Sequence, residues 1–260
     1  MIYLKSSEEL QRMREAGRHV AEILLTLREH AKPGVTTAEL NQLAAREIRA
    51  RSLESSFLGY APGGAPPYPA VVCTSINDEI VHGIPGDRVV EEGDLLKLDF
   101  GAVQGGFHGD SACAMPVGDP GRVSPRVREL VDVTLRSLYA GIEKLAPGNR
   151  LGDVSHAVQS AVEAAGFSVV KQFVGHGIGR RMHEEPQVPN FGRSGKGPRL
   201  RAGMVVAIEP MVNMGSEEVE MRPDRWTAAT ADGELSCHFE HTVAITEHGP
   251  EILTRIPGSH

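Results

Sequence analysis

The feature that most constrains this chain is a correspondence between its two halves. Each half holds two amphipathic helical stretches separated by Pro-Gly, at Pro33-Gly34 and Pro147-Gly148, 114 positions apart. Each then runs from a glycine through an apolar strand to a carboxylate: Gly93-Asp-Leu-Leu-Lys-Leu-Asp99 and Gly203-Met-Val-Val-Ala-Ile-Glu209, offset by 110. That period is too long for a solenoid, whose units span roughly 20–45 residues. It suits two similar halves that share one core and meet at an internal pseudo-twofold, where each contributes an acidic residue to one site. Coincidence is the competing reading of either match alone, since Pro-Gly stops and glycines before strands are common.

The local signals agree with this division. Ser6-x-x-Glu9 and Thr36-x-x-Glu39 read as capping boxes. Leu10, Met13, Val20, Leu24 and Leu27 recur at helical spacing after the first, and Leu40, Leu43 and Ile48 after the second. Ser124-Pro125 opens a third helix, with apolar positions from Val127 to Leu145, and a fourth is expected from Leu151 to Ala165 with Gly166 as its stop. Strand-like runs cover 70–75, 94–103 and 107–117, and the turn Gln104-Gly105-Gly106 makes the last two an antiparallel hairpin. Between helices and strands, Gly59 to Pro69 holds four prolines and three glycines and reads as a loop. The 260 residues fit one large domain or two small ones at roughly 150 residues each. The correspondence selects one domain, 1–260, with halves at about 6–120 and 124–253.

Charge and cysteine content narrow the function. A net charge of −7 argues against a general nucleic-acid or anionic-membrane binder. Cys73, Cys113 and Cys237 are too scattered for a disulfide framework or a thiolate zinc site, and read as reduced thiols of a cytoplasmic protein. The first ten residues lack the apolar core of a signal peptide, and no run has the length of a membrane span.

The residues able to carry chemistry are Asp99, Asp110, His176, Glu209 and Glu240. Asp99 and Glu209 follow apolar strands, where a carboxylate is costly to bury without a cation or hydrogen-bonding partners. Asp99 and Asp110 stand 11 apart across the hairpin, a spacing that permits both to face one site. Taken singly, Asp110 reads more readily as a turn residue and Glu240 as a solvated strand residue than either does as a ligand. Together, four carboxylates and one imidazole need metal ions to neutralise them, and an oxygen-rich set with one nitrogen suits Mn, Fe, Co or Zn in a dinuclear arrangement. Gly175-His-Gly-Ile-Gly179 lacks dinucleotide-loop spacing, and His183-Glu184 is followed by Gln187 where a zinc-protease helix has histidine.

Seven short motifs in order carry a family resemblance: Val81-His-Gly-Ile-Pro85, Leu98-Asp-Phe-Gly101, Phe107-His-Gly-Asp110, Gly175-His-Gly-Ile-Gly179, His183-Glu-Glu-Pro186, Ile208-Glu-Pro-Met211 and Phe239-Glu-His241. Over almost the whole chain the sequence resembles the type I methionine aminopeptidases. The resemblance implies an α/β (α+β) pita-bread fold, two pseudosymmetric halves with an antiparallel sheet flanked by helices. It also implies removal of the N-terminal methionine from nascent polypeptides when the second residue is small.

By the same resemblance, Asp99, Asp110, His176, Glu209 and Glu240 are ligands of two divalent ions (Co, Mn, Fe, Ni or Zn), with Asp110 and Glu240 bridging. His82 is assigned to the substrate amide, His183 to the scissile carbonyl, and Glu209 also to proton transfer. Tyr68, Cys73 and Trp226 are assigned to the methionine pocket, with Met182 at a resembling position. Tyr60 also stands at a resembling position, with Phe57 nearby in sequence, but the Tyr60–Tyr68 segment is longer than in familiar bacterial members and the assignment rests on Tyr68, Cys73 and Trp226. His238 stands where glutamine is more usual, and Asn77 and Ser236 resemble a monovalent-cation site. A monomer with transient ribosome contact and no specific nucleic-acid partner is expected. Proline-specific aminopeptidases of the same fold usually carry an extra N-terminal domain, and type II methionine enzymes a large insertion between the last two ligands. Glu209 and Glu240 are only 31 positions apart. A non-enzymatic binding protein of this fold would not need all five ligands and both histidines.

Overall fold

A computed structural model describes residues 1–255. Helices α1 (Ser7–His30) and α2 (Thr37–Ala50) start on reciprocal capping boxes, Ser6 with Glu9 and Thr36 with Glu39. Helix α3 (Pro125–Ile142) is capped by the Ser124 side chain, and α4 (Leu151–Glu163) follows it. Helix α3 ends before the expected Leu145, because the Lys144 and Leu145 N–H groups bond carbonyls three residues back, at Gly141 and Ile142. That tightened turn still delivers Leu145 into the core.

Seven strands form the path of a nine-stranded sheet in the order Glu54–Ser55, Leu95–Gln104, Phe107–Pro116, Glu240–Thr246, Val205–Ile208, Gly175–Gly177 and Glu184–Val188. Cys73–Ile76 joins at Leu95–Gln104 and Gly249–Ile252 at Glu240–Thr246, and all these pairings are antiparallel. Alternation along the strands decides what each face holds. Leu96, Leu98, Phe100 and Ala102 pack with Val20, Leu24 and Leu27 of α1 and Leu40 and Ala44 of α2. In the other half, Val206 and Ile208 pack with Leu130 and Leu138 of α3 and Val154 of α4.

The two halves repeat in backbone as well as in sequence. Gly34 and Gly148, the two Pro-Gly glycines, have φ of 94° and 96°, a left-handed conformation that favours glycine. Gly34 N–H donates to the Val90 carbonyl at 2.9 Å, and Gly148 N–H donates to the Leu200 carbonyl at 3.2 Å. In each half the stop between paired helices is therefore tied to the segment leading into the carboxylate-bearing strand. Among the described residues, no helix is long and apolar enough to cross a membrane.

Helix α1 lies unusually close to its neighbours at Gly17. A Cβ there would stand 2.4 Å from the Leu253 carbonyl oxygen, and one at Gly109 would stand 2.9 Å from the Gly17 nitrogen. Gly17→Ala should therefore reverse the usual sign of a helical glycine substitution. The typical gain of about 0.5–1 kcal/mol becomes a loss of about 1–3 kcal/mol from overpacking. Denaturant unfolding checks this, and a stabilised variant would contradict the close approach.

Candidate metal centre

Strand register brings the acidic residues together. Asp99 lies opposite Ala112, and Ala112 in turn lies opposite Glu240. Asp110 lies opposite Gly101 on the same face, two positions along, and exchanges hydrogen bonds with Thr242: its N–H donates to Oγ1 at 3.1 Å and its carbonyl accepts at 2.8 Å. Thr242 pairs with Ala207, which pairs with His176. Glu209 follows the strand Val205–Ile208 directly, so it reaches the same place from the strand's end. Asp99, Asp110, His176, Glu209 and Glu240 all line one cavity of about 370 Å³.

The cluster is built for cations. Ligating atoms of Asp110, His176 and Glu240 all lie within 4.8 Å of one another. Asp99 Oδ1, Asp110 Oδ1 and Glu240 Oε1 are buried without a hydrogen-bond donor. Burial raises the Asp99 carboxyl from 3.8 to about 7, and pushes Asp110, Glu209 and Glu240 well above the carboxylate range, with the neighbouring carboxylates adding to the effect. His176 Nδ1 lies 3.0 Å from the Gly177 carbonyl. A carbonyl only accepts, so Nδ1 carries the proton and leaves the Nε2 lone pair free, 3.7 Å from Glu209 Oε1. Burial, then the nearby His183, lowers its pKa to about 3, which keeps the ring neutral as a ligand must be. Orphaned oxygens, a neutral imidazole and mutual repulsion between carboxylates fit divalent ions.

The two remaining histidines flank the cluster. His183 sits 4.1 Å from the His176 ring, centroid to centroid. Its Nδ1 lies 2.6 Å from the Tyr60 hydroxyl, and the two rings stack at 5.3 Å. His82 has a left-handed φ of 62°, uncommon for a side-chain-bearing residue. Its ring meets Trp226 and Phe173 edge-on, and burial lowers its pKa to about 4.

Tyr68, Cys73 and Trp226 form the apolar wall of the cavity. Tyr68 meets Trp226 edge-on at 5.1 Å and its hydroxyl donates to the Gly83 carbonyl at 2.9 Å. The Trp226 indole N–H donates to Pro66 O at 3.0 Å. Met182 and Tyr60, both at resembling positions, are on the wall, and so is Phe57. The Gly59–Pro69 loop folds back on itself to bring Tyr60 there: Tyr68 N–H donates to the Tyr60 carbonyl and Gly59 N–H to the Tyr68 carbonyl.

A second expectation changes at Asn77 and Ser236. Their carbonyl oxygens both accept from the Lys97 side chain, at 2.7 and 3.0 Å. A tethered ammonium therefore stands where a free monovalent cation was expected. Burial lowers its pKa to about 8, leaving it charged at neutral pH. The signal was a lysine inside the apolar run Leu-Leu-Lys-Leu-Asp99, two residues from the carboxylate and therefore on its face of the strand. His238 is also buried here, with Nε2 unpartnered and 3.9 Å from Glu209 Oε2.

A mixed helix and antiparallel-sheet fold with an oxygen-rich, cation-demanding cavity defines a metal-binding protein. The model of metallopeptidase family M24 matches residues 11–247. The chain belongs to that family, its fold is the pita-bread fold, and divalent metal ions are the implied cofactor. It is 49% identical over 256 residues to methionine aminopeptidase 1 of Bacillus subtilis, covering 98% of this chain and 100% of the relative. The crystal structure of methionine aminopeptidase from Thermotoga maritima superposes with a TM-score of 0.93 at 44% identity, covering 98% of this chain and 100% of that one. A prolidase from Pyrococcus horikoshii shares the fold at a TM-score of 0.76 and 19% identity, with 97% of this chain and 63% of the prolidase covered.

Without ions, burial favours the protonated form of Asp99. Its contribution to stability is then complete below 3.8 and lost as pH rises through about 7. Bound cations reverse the preference. The difference in melting temperature between Mn-loaded and metal-stripped protein should widen across that window; a difference that stays flat or narrows with rising pH would reject the carboxylate assignment.

Proposed function

We propose that this chain removes the N-terminal methionine from nascent polypeptides whose second residue is small. The observation that carries the reading is one cavity in which the five-donor cluster adjoins a wall of Tyr68, Cys73, Met182 and Trp226. An unbranched thioether fills such a wall with polarisable contacts to the aromatic rings. Burial keeps the Cys73 thiol and Tyr68 phenol neutral, so both serve as wall and neither as ligand. The names of the relatives support the same substrate.

Asp99, Asp110, His176, Glu209 and Glu240 would hold two divalent ions, drawn from Mn, Fe, Co, Ni or Zn. Bound there, such ions lower the pKa of water to near neutrality and act as Lewis acids toward a peptide carbonyl. His82 and His183, both shifted toward the neutral form by burial, each keep one ring N–H to donate. In this reading His82 orients the substrate amide, and His183, braced by Tyr60, donates to the scissile carbonyl. Glu209, beside the His176 and His238 rings at 3.7 and 3.9 Å, would accept a proton and return it to the leaving amine. The chain works as one catalytic unit with halves at about 6–120 and 124–253, a cytoplasmic monomer that meets its substrates transiently at the ribosome and needs no specific nucleic acid.

The Mn-, Fe- or Co-reconstituted protein should release methionine from Met-Ala-Ser, but not from Met-Lys-Ser, and should leave Ala-Pro intact. Release from none, or cleavage of Ala-Pro instead, would overturn the reading.

Asp110→Asn keeps the side-chain size and removes a ligand charge. Turnover should fall by roughly a hundredfold or more, while the metal-free variant melts no lower than the metal-free parent, because a costly buried carboxyl has been relieved. Near-parent turnover at matched metal occupancy would reject the ligand role.

A further inference from the structure

We propose that the Lys97 ammonium is a tethered structural cation that positions the metal-binding segments in place of a free alkali ion, making the scaffold of this chain indifferent to Na⁺ and K⁺. The side chain is almost wholly buried, the residue being 1% exposed, between Leu96 and Leu98 of its strand. Its Nζ donates to Asn77 O at 2.7 Å and to Ser236 O at 3.0 Å.

The convergence of these two carbonyls does not depend on the lysine. Asn77 has a left-handed φ of 58°, and the start of the Lys97 strand holds it there. Its Oδ1 accepts from Leu95 N–H at 2.9 Å, its Nδ2 donates to Asp94 Oδ1 at 2.8 Å, and its N–H donates to Leu95 O at 2.9 Å. Ser236 N–H donates to the Asn77 carbonyl at 3.1 Å. Backbone carbonyl oxygens aimed at one point are the donors that replace the hydration shell of an alkali ion. Here they meet three N–H donors on a covalent stem.

Three segments that end in the site leave from this point. Lys97 is two residues before Asp99, on the same side of its strand. Ser236 begins the strand Ser236–His238 that leads to Glu240. Asn77 precedes the strand Glu79–Val81, after which comes His82. One charge thus joins the origins of a carboxylate ligand, a second carboxylate ligand and the histidine assigned to the substrate. A tether cannot dissociate, so it needs no ion from solution. Lys97 is therefore a positioning residue.

The test uses the full chain, loaded with Mn, in KCl or NaCl against tetramethylammonium chloride at equal ionic strength. Two readouts are followed: melting temperature, and kcat on Met-Ala-Ser. The inference bears on the same site as the proposed function, and the melting readout keeps the two separable, since it needs no turnover. The parent protein should melt and turn over identically in all three salts. Lys97→Ser, which clears space beside the carbonyls, should lose about tenfold or more in kcat in tetramethylammonium chloride. It should regain melting temperature and kcat saturably with K⁺ or Na⁺. Lys97→Met, similar in length but uncharged, should show the loss without the rescue. A parent that needs an alkali ion, or a Lys97→Met variant with parental melting temperature and kcat, would overturn the inference. So would a Lys97→Ser variant that responds to no alkali ion, including one that fails to fold equally in KCl and tetramethylammonium chloride.

Discussion

Four carboxyl groups on one cavity wall are the constraint around which this molecule is organised. Three of them carry buried oxygens with no donor, and burial raises the pKa of all four. Left to themselves they would take up protons or push apart, because an unpaired buried charge costs several kcal/mol. Divalent ions convert the liability into a binding site, with affinity linked to deprotonation. Hydrogen bonds from neighbouring strands tie down the backbone that carries these groups. Thr242 clamps both backbone groups of Asp110, and Lys97 pins the strand of Asp99.

The sheet achieves this by repetition. Each half supplies a helix pair, a Pro-Gly stop and a carboxylate six residues after a glycine, Asp99 inside the strand Leu95–Gln104 and Glu209 just past the strand Val205–Ile208. The four helices cover the apolar faces of their own strands, which leaves the opposite side chains of Leu95–Gln104 and Phe107–Pro116 to build the cavity floor. Most of the apolar wall comes from irregular segments, Gly59 to Pro69, the turn before Trp226 and the bend that carries Met182, with Cys73 added by a strand, so most of the chemistry rests on strands while most of the shape that recognises substrate rests on loops.

Much of this was legible in the chain. The capping boxes of α1 and α2, the hairpin about Gly105 and the carboxylates six residues after Gly93 and Gly203 follow from local physics, in which a residue's role depends on neighbours three or six positions away. Three features were not legible for a common reason. Whether Tyr60 and Phe57 line the pocket turns on where their loop folds back, which its length does not say. The partners of Lys97 are 20 and 139 positions distant. The burial of His238 against Glu209 depends on the strand Ser236–His238, which lies outside the main sheet and pairs with Met211–Asn213.

What the sequence determined by itself was the set of donors and the division into halves, because helical and strand periods are short-range and a buried carboxylate needs a cation wherever it lies. What only the tertiary structure decided was the company each group keeps. A buried ammonium and a monovalent ion place the same demand on two carbonyl oxygens, and only the path of the folded chain shows that this protein meets that demand with its own Lys97.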